Sequence, residues 1–83
     1  GKQDWKARKE EQAKQRKKQS DLKKTEDEIA VLEQKDSELD EQLMMPETAS
    51  DAGKLLTIHR EKEALRQRLE QLYELWETLA QDV

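Results

Sequence analysis

The stretch LLTIHREKEALRQRLEQLYELWETLAQDV, residues 55–83, places apolar residues at Leu55, Ile58, Leu65, Leu69, Leu72, Trp76, Leu79 and Val83, with Lys62 at the one polar step. The spacing alternates three and four without slipping, which is the a/d seam of a heptad helix sustained over four repeats. Leu55, Lys62, Leu69, Trp76 and Val83 take the a positions, and Ile58, Leu65, Leu72 and Leu79 the d positions. One long amphipathic helix is thereby assigned, and its apolar stripe needs a partner.

Working upstream, a shorter seam of the same kind places Leu22, Ile29, Asp36 and Leu43 at a and Thr25, Leu32 and Leu39 at d. Between the two seams lies MMPETASDAG, residues 44–53. Pro46 biases Met45 away from helical backbone and cannot occupy a helix interior, and Gly53 is a poor helix former, so the chain turns here. Thr48 followed by Asp51, or Ser50 alone, is the expected cap of the helix that follows.

Two seamed helices joined by a short connection fold back on each other. The fold class expected is all-α, a two-helix antiparallel coiled-coil hairpin with a basic N-terminal helical or frayed arm. The arm covers 1–18 and the hairpin 19–83, with a helix over about 19–44, a turn over about 45–50 and a helix over about 51–81. The best register pairs Leu43 with Ile58, Leu39 with Lys62, Asp36 with Leu65, Leu32 with Leu69, Ile29 with Leu72, Thr25 with Trp76 and Leu22 with Leu79. It sets a large side chain against a small one at Trp76 and Thr25, and brings Asp36 and Lys62 within one layer. A shift by one heptad opposes Leu43 to Asp51 and Trp76 to Lys18, and ranks second. Trp76 is then expected to close the open end of the core, with Tyr73 beside it at an e position, and Trp76→Ala to cost on the order of 3 kcal/mol or more.

Composition agrees with a thin core. Only 33% of the 83 residues are hydrophobic and 43% are charged, far from an ordinary globular domain. With no cysteine, disulfides and thiolate metal sites are excluded, and the sequence is compatible with a cytoplasmic location. The longest apolar run, IAVL at 29–32, is far short of the roughly 20 residues of a membrane span. No signal-peptide pattern opens the chain, and its start reads as a cut from a longer protein.

Chemistry of the catalytic kind has little to stand on. His59, the single histidine, falls at an e position with no nucleophile or orienting acid assigned to it, and carboxylates such as Glu26, Asp27 and Glu28 form a solvated helix face. There is no phosphate-cradling glycine loop and no metal-ligand spacing. No enzyme, cofactor site or metal site is expected in this fragment.

Charge is distributed unevenly. The net charge is −4, yet residues 1–24 hold ten basic groups against four acidic ones, so the remainder is strongly acidic. Lys2, Lys9, Arg16 and Lys23 recur every seven residues, with Lys17 and Lys24 beside them, at the outward b and c positions. A stripe of this sort can follow a phosphate backbone without reading sequence. Glu10 and Glu11 interrupt the arm and Trp5 is its only aromatic, so base stacking is not an obvious mode. The candidate nucleic-acid contacts are Lys2, Lys6, Lys9, Lys14, Arg16, Lys17, Lys18, Lys23 and Lys24. The alternative is that the charges only solvate a spacer or protein-interaction coiled coil.

A lysine-rich lead, EDEIAVLEQKDSELDEQL (26–43), the Pro-Glu turn MMPETASD (44–51) and EALRQRLEQLYELWETL (63–79), with its Tyr-x-x-Trp-Glu-x-Leu ending, together resemble the C-terminal coiled-coil domain of the ABC-F family of soluble tandem ATP-binding cassette proteins. The resemblance implies a helical hairpin appended to two cassettes, acting on the ribosome in translation. It also implies contact with nucleic acid, either rRNA or DNA. ATP would be the cofactor of the parent protein rather than of this fragment, whose expected partners are nucleic acid and the ribosome, not a membrane. The hairpin is expected to be monomeric.

Overall fold

A computed structural model of the chain describes residues 1–81; the seam position assigned to Val83 lies outside the described residues. The architecture is all-α, with no strand among the described residues. Helix α1 runs from Lys2 to Leu43, a single turn of helix α2 from Pro46 to Ala49, and α3 from Ala52 to Gln81. The molecule is a rod of 73 × 16 × 15 Å.

Helix α1 does not break near residue 18. Lys, Gln, Glu, Arg and Ala dominate its first half and are strong helix formers, and neither Gly nor Pro interrupts them. At ~1.5 Å per residue α1 is roughly 63 Å long and α3 roughly 45 Å. The helices are therefore unequal, and the first third of α1 projects past the end of α3. Residues 1–14 are exposed without exception.

The reversal is built by α2. Met45 is extended (φ −74°, ψ 132°), as the residue before a proline prefers, and Pro46 then takes the first position of the short helix, where its missing N–H is no loss. The cap of α3 is Asp51, whose Oδ1 accepts the Lys54 N–H at 3.1 Å. Neither Thr48 nor Ser50 serves as that cap. Ser50 instead donates its hydroxyl back to the Pro46 carbonyl at 2.9 Å, and Thr48 is buried against the helices. The short helix turns the serine away from the start of α3.

Cross-helix bonds join rising numbers in α3 to falling numbers in α1: Lys62 with Asp40 and Asp36, Arg68 with Glu28, and Trp76 with Glu26. The two helices pack antiparallel. Leu39, Ile58 and Leu65 form a buried cluster, with Leu32 and Leu43 against it, and Leu72 farther along α3 is the most enclosed side chain at 1% exposure. Thr25 is buried as well, its hydroxyl donating to the Asp21 carbonyl at 2.8 Å, which satisfies it within its own helix. The core is one side chain wide throughout.

Trp76 does not close that core. It is 38% exposed, and its indole Nε1–H donates to Glu26 Oε1 at 3.0 Å across the helix pair. A ring facing a layer occupied by small Thr25 could have filled the layer. Its N–H needs an acceptor, however, and the bond to the exposed Glu26 carboxylate keeps over a third of the residue's surface in water. Tyr73, 42% exposed, behaves alike, its hydroxyl donating to Glu33 at 2.7 Å.

Candidate functional site: a basic stripe on the projecting helix

In the middle of the rod the charges serve the pairing. Lys62 sits half-buried in the seam and donates to Asp36 at 2.8 Å and Asp40 at 2.5 Å. The bond to Asp36, with that to Asp40 next, holds the Lys62 ammonium above its ordinary pKa. Arg68 grips Glu28 with two parallel bonds of 3.1 and 3.2 Å, a geometry specific to guanidinium and carboxylate. Along α3, Arg66 holds Glu63 and lowers its pKa, and the Tyr73 hydroxyl is raised chiefly by its bond to Glu33. These groups tie α3 to α1 or brace α3 itself.

His59 is exposed on α3, over a shallow groove shared with Asp36, Lys62, Glu63, Arg66 and Leu69. No hydroxyl nucleophile lines that groove, so the arrangement lacks the first requirement of nucleophilic catalysis. Among the described residues no group of three or more metal-ligating side chains converges, and no helix is long and apolar enough to cross a membrane.

The N-terminal half of α1 carries a different arrangement. At 3.6 residues per turn, Lys2, Lys6, Lys9, Arg16, Lys17, Lys23 and Lys24 fall within about 60° of one line along the helix. That line is diametrically opposite the seam residues Leu22, Ile29 and Leu32. The seven cations extend over roughly 33 Å of helix. Lys14 turns about 120° and Lys18 about 160° from the line, toward the seam side. Lys18 is half-buried, whereas the seven stripe cations and Lys14 are exposed. Nine candidate contacts thus resolve into a stripe of seven and two that stand apart from it.

Acidic residues of the same segment are displaced from the stripe. Asp4 and Glu11 fall on the seam side and Glu10 on the flank, while Asp27 caps the end of the stripe through an ion pair of 3.4 Å with Lys23. Both members of that pair are well exposed, so it contributes little to stability. The stripe therefore presents a nearly unmixed positive face.

Trp5, the only aromatic of the basic arm and from sequence not an obvious stacking site, belongs to this surface. Trp5 is 66% exposed, and the Lys9 Nζ lies 5.0 Å from the centroid of its ring, within cation–π range. The i, i+4 spacing of an aromatic and a lysine was the available signal.

The described residues form an unequal antiparallel helix pair with a positively charged projection. Residues 13–81 match the family model described as ABC transporter C-terminal domain, and the chain belongs to that family. It is a small helical C-terminal domain of the ABC type. No curated protein and no solved structure matches the chain. The first twelve residues, with Trp5, Lys2, Lys6 and Lys9, fall outside the matched segment.

Proposed function

We propose that the chain is the nucleic-acid-contacting accessory domain of an ABC-F ATPase. In this reading the stripe from Lys2 to Lys24 neutralises phosphates of rRNA or DNA while the paired helices hold it away from the parent cassettes. The observation that carries the proposal is the segregation of seven cations onto one exposed line of a helix that projects beyond its partner. A helix that needed charge only for solubility would gain as much from mixed signs around its circumference, as the rest of this rod displays. Family membership as an ABC-type C-terminal domain supports attachment to ATP-binding cassettes. ATP would be bound by the parent protein. Action on the ribosome in translation, a cytoplasmic location and a monomeric state complete the reading.

Binding of this kind is electrostatic and indifferent to base sequence. The test is to measure affinity for duplex DNA and for structured RNA, comparing the natural chain with a variant carrying Gln at Lys9, Arg16, Lys17 and Lys23. A large loss in the variant is expected. Equal affinity in the two proteins would remove the stripe from the proposal.

A second reading rests on a specific observation at the opposite end of the rod. Met44, Met45 and Leu56 are exposed around the turn, with Met44 at 86%. An apolar tip suits contact with another protein, and in that reading the module is a spacer whose cations serve solubility. Absence of any nucleic-acid binding by the monomeric domain would favour it.

A further inference from the structure

We infer that Trp5 is a stacking platform for an unpaired base, so that the basic stripe takes nucleic acid with exposed bases, a single strand, loop or bulge, in preference to an uninterrupted duplex. This inference rests on the nucleic-acid reading of the stripe and narrows its ligand.

Three observations converge on it. Trp5 stands on the projecting part of α1, where no element packs against the helix, and is 66% exposed. The ring therefore contributes nothing to the core, which begins well downstream. It also lies inside the positive surface and not apart from it. Lys2 and Lys9 are one turn away on either side, Lys6 is adjacent on the helix, and Arg8, Lys9 and Gln12 line the shallow depression around the ring. Finally, the Lys9 Nζ stands over the indole, 5.0 Å from the ring centroid, while most of the Trp5 surface remains exposed.

The chemistry that fits this arrangement is a flat π-surface bearing a phosphate within one helical turn. A base stacked on the face opposite Lys9 would complete a sandwich of base, indole and ammonium. Its flanking phosphates would come within reach of Lys2, Lys6 and Lys9. The ammonium already on the ring polarises it and limits its rotation, which reduces the ordering cost of stacking. In an uninterrupted duplex every base face is covered by its neighbours, so the indole gains nothing there without unstacking a step. The phosphate stripe should bind both forms; Trp5 should discriminate between them.

The experiment uses the full chain, its Trp5→Ala variant and its Trp5→Phe variant against two probes of about 20 nucleotides or base pairs, long enough to cover the stripe's roughly 33 Å. One is a mixed-sequence single strand and the other the duplex of the same sequence, each read by fluorescence anisotropy at low salt. Alanine is the best helix former, so Trp5→Ala keeps the arm helical, and unchanged far-ultraviolet ellipticity verifies this. The expected result is a loss of about five- to a hundredfold on the single strand, against less than about twofold on the duplex, with Trp5→Phe retaining most of the single-strand affinity. Equal losses on both probes, or none on the single strand while binding persists, would overturn the stacking role and leave the phosphate reading intact. If the natural chain binds neither probe, the nucleic-acid reading falls and this inference falls with it.

Discussion

Truncating Leu72 should damage the fold more than truncating the larger Trp76. Leu72 is 1% exposed in a core one side chain wide, and Leu72→Ala removes three carbons from it. At ~0.8 kcal/mol per buried methylene the transfer loss is about 2.4 kcal/mol, and an incompletely collapsed void raises it to about 3 kcal/mol. Trp76 keeps 38% of its surface in water, so Trp76→Ala gives up only part of the roughly 3–5 kcal/mol of a fully buried tryptophan, about 2 kcal/mol. Of that, about 1 kcal/mol belongs to the Nε1–H bond to Glu26, which Trp76→Phe isolates. Urea titrations followed by far-ultraviolet ellipticity give each difference from the shift in midpoint at constant slope. A rod with so thin a core has stability toward the low end of the usual ~5–15 kcal/mol, so Leu72→Ala should leave a visibly unfolded fraction near room temperature. Should Trp76→Ala prove the more costly change, the indole is a core-closing residue after all and the packing at this end has been misjudged.

Further outcomes follow from other named contacts. Replacing Lys62 and Asp36 together by Leu should leave stability equal or higher, since a polar seam contact gives way to apolar packing, while loosening the choice of register; light scattering should then detect a species near twice the 9.8 kDa chain mass. The Tyr73 hydroxyl is raised above its usual pKa by Glu33, so its contribution is fully present below about pH 10 and is lost as pH climbs through the folded value. Alkaline destabilisation measured by thermal melts should accordingly be shallower in Tyr73→Phe. Native-state hydrogen exchange should find the amides of residues 2–14 exchanging far faster than those near Ile58, Leu65 and Leu72, because the projecting helix has no tertiary contact to protect it.

Much of this was legible in the sequence because heptad spacing is a one-dimensional signal. Leu39, Ile58, Leu65 and Leu72 stand at seam positions assigned from the three-four alternation, and all four are buried. Placement at the seam did not settle Trp76. The alternation fixes where a Cα faces, whereas the indole's final orientation depends on an acceptor, Glu26, contributed by a residue fifty positions away. The cap of α3 was ambiguous for a related reason. Thr48, Ser50 and Asp51 all have capping chemistry, and the single turn of α2 decided among them by directing the Ser50 hydroxyl back to Pro46. Among the candidate contacts, the heptad recurrence of Lys2, Lys9, Arg16 and Lys23 marked the stripe, and composition alone added Lys14 and Lys18, which helical geometry turns away from it. Base stacking on Trp5 was not an obvious mode because a single aromatic in a charged segment carries no periodicity.

The most direct test is the salt dependence of duplex binding. If all seven stripe cations engage phosphates, log K against log salt should fall with a slope of roughly −6, at about −0.9 per neutralised phosphate. Substituting Gln for Lys9, Arg16, Lys17 and Lys23 should make that slope shallower by between about 3 and 4 and weaken binding at every salt concentration. Identical slopes and affinities for the two proteins would show that the stripe does not contact nucleic acid.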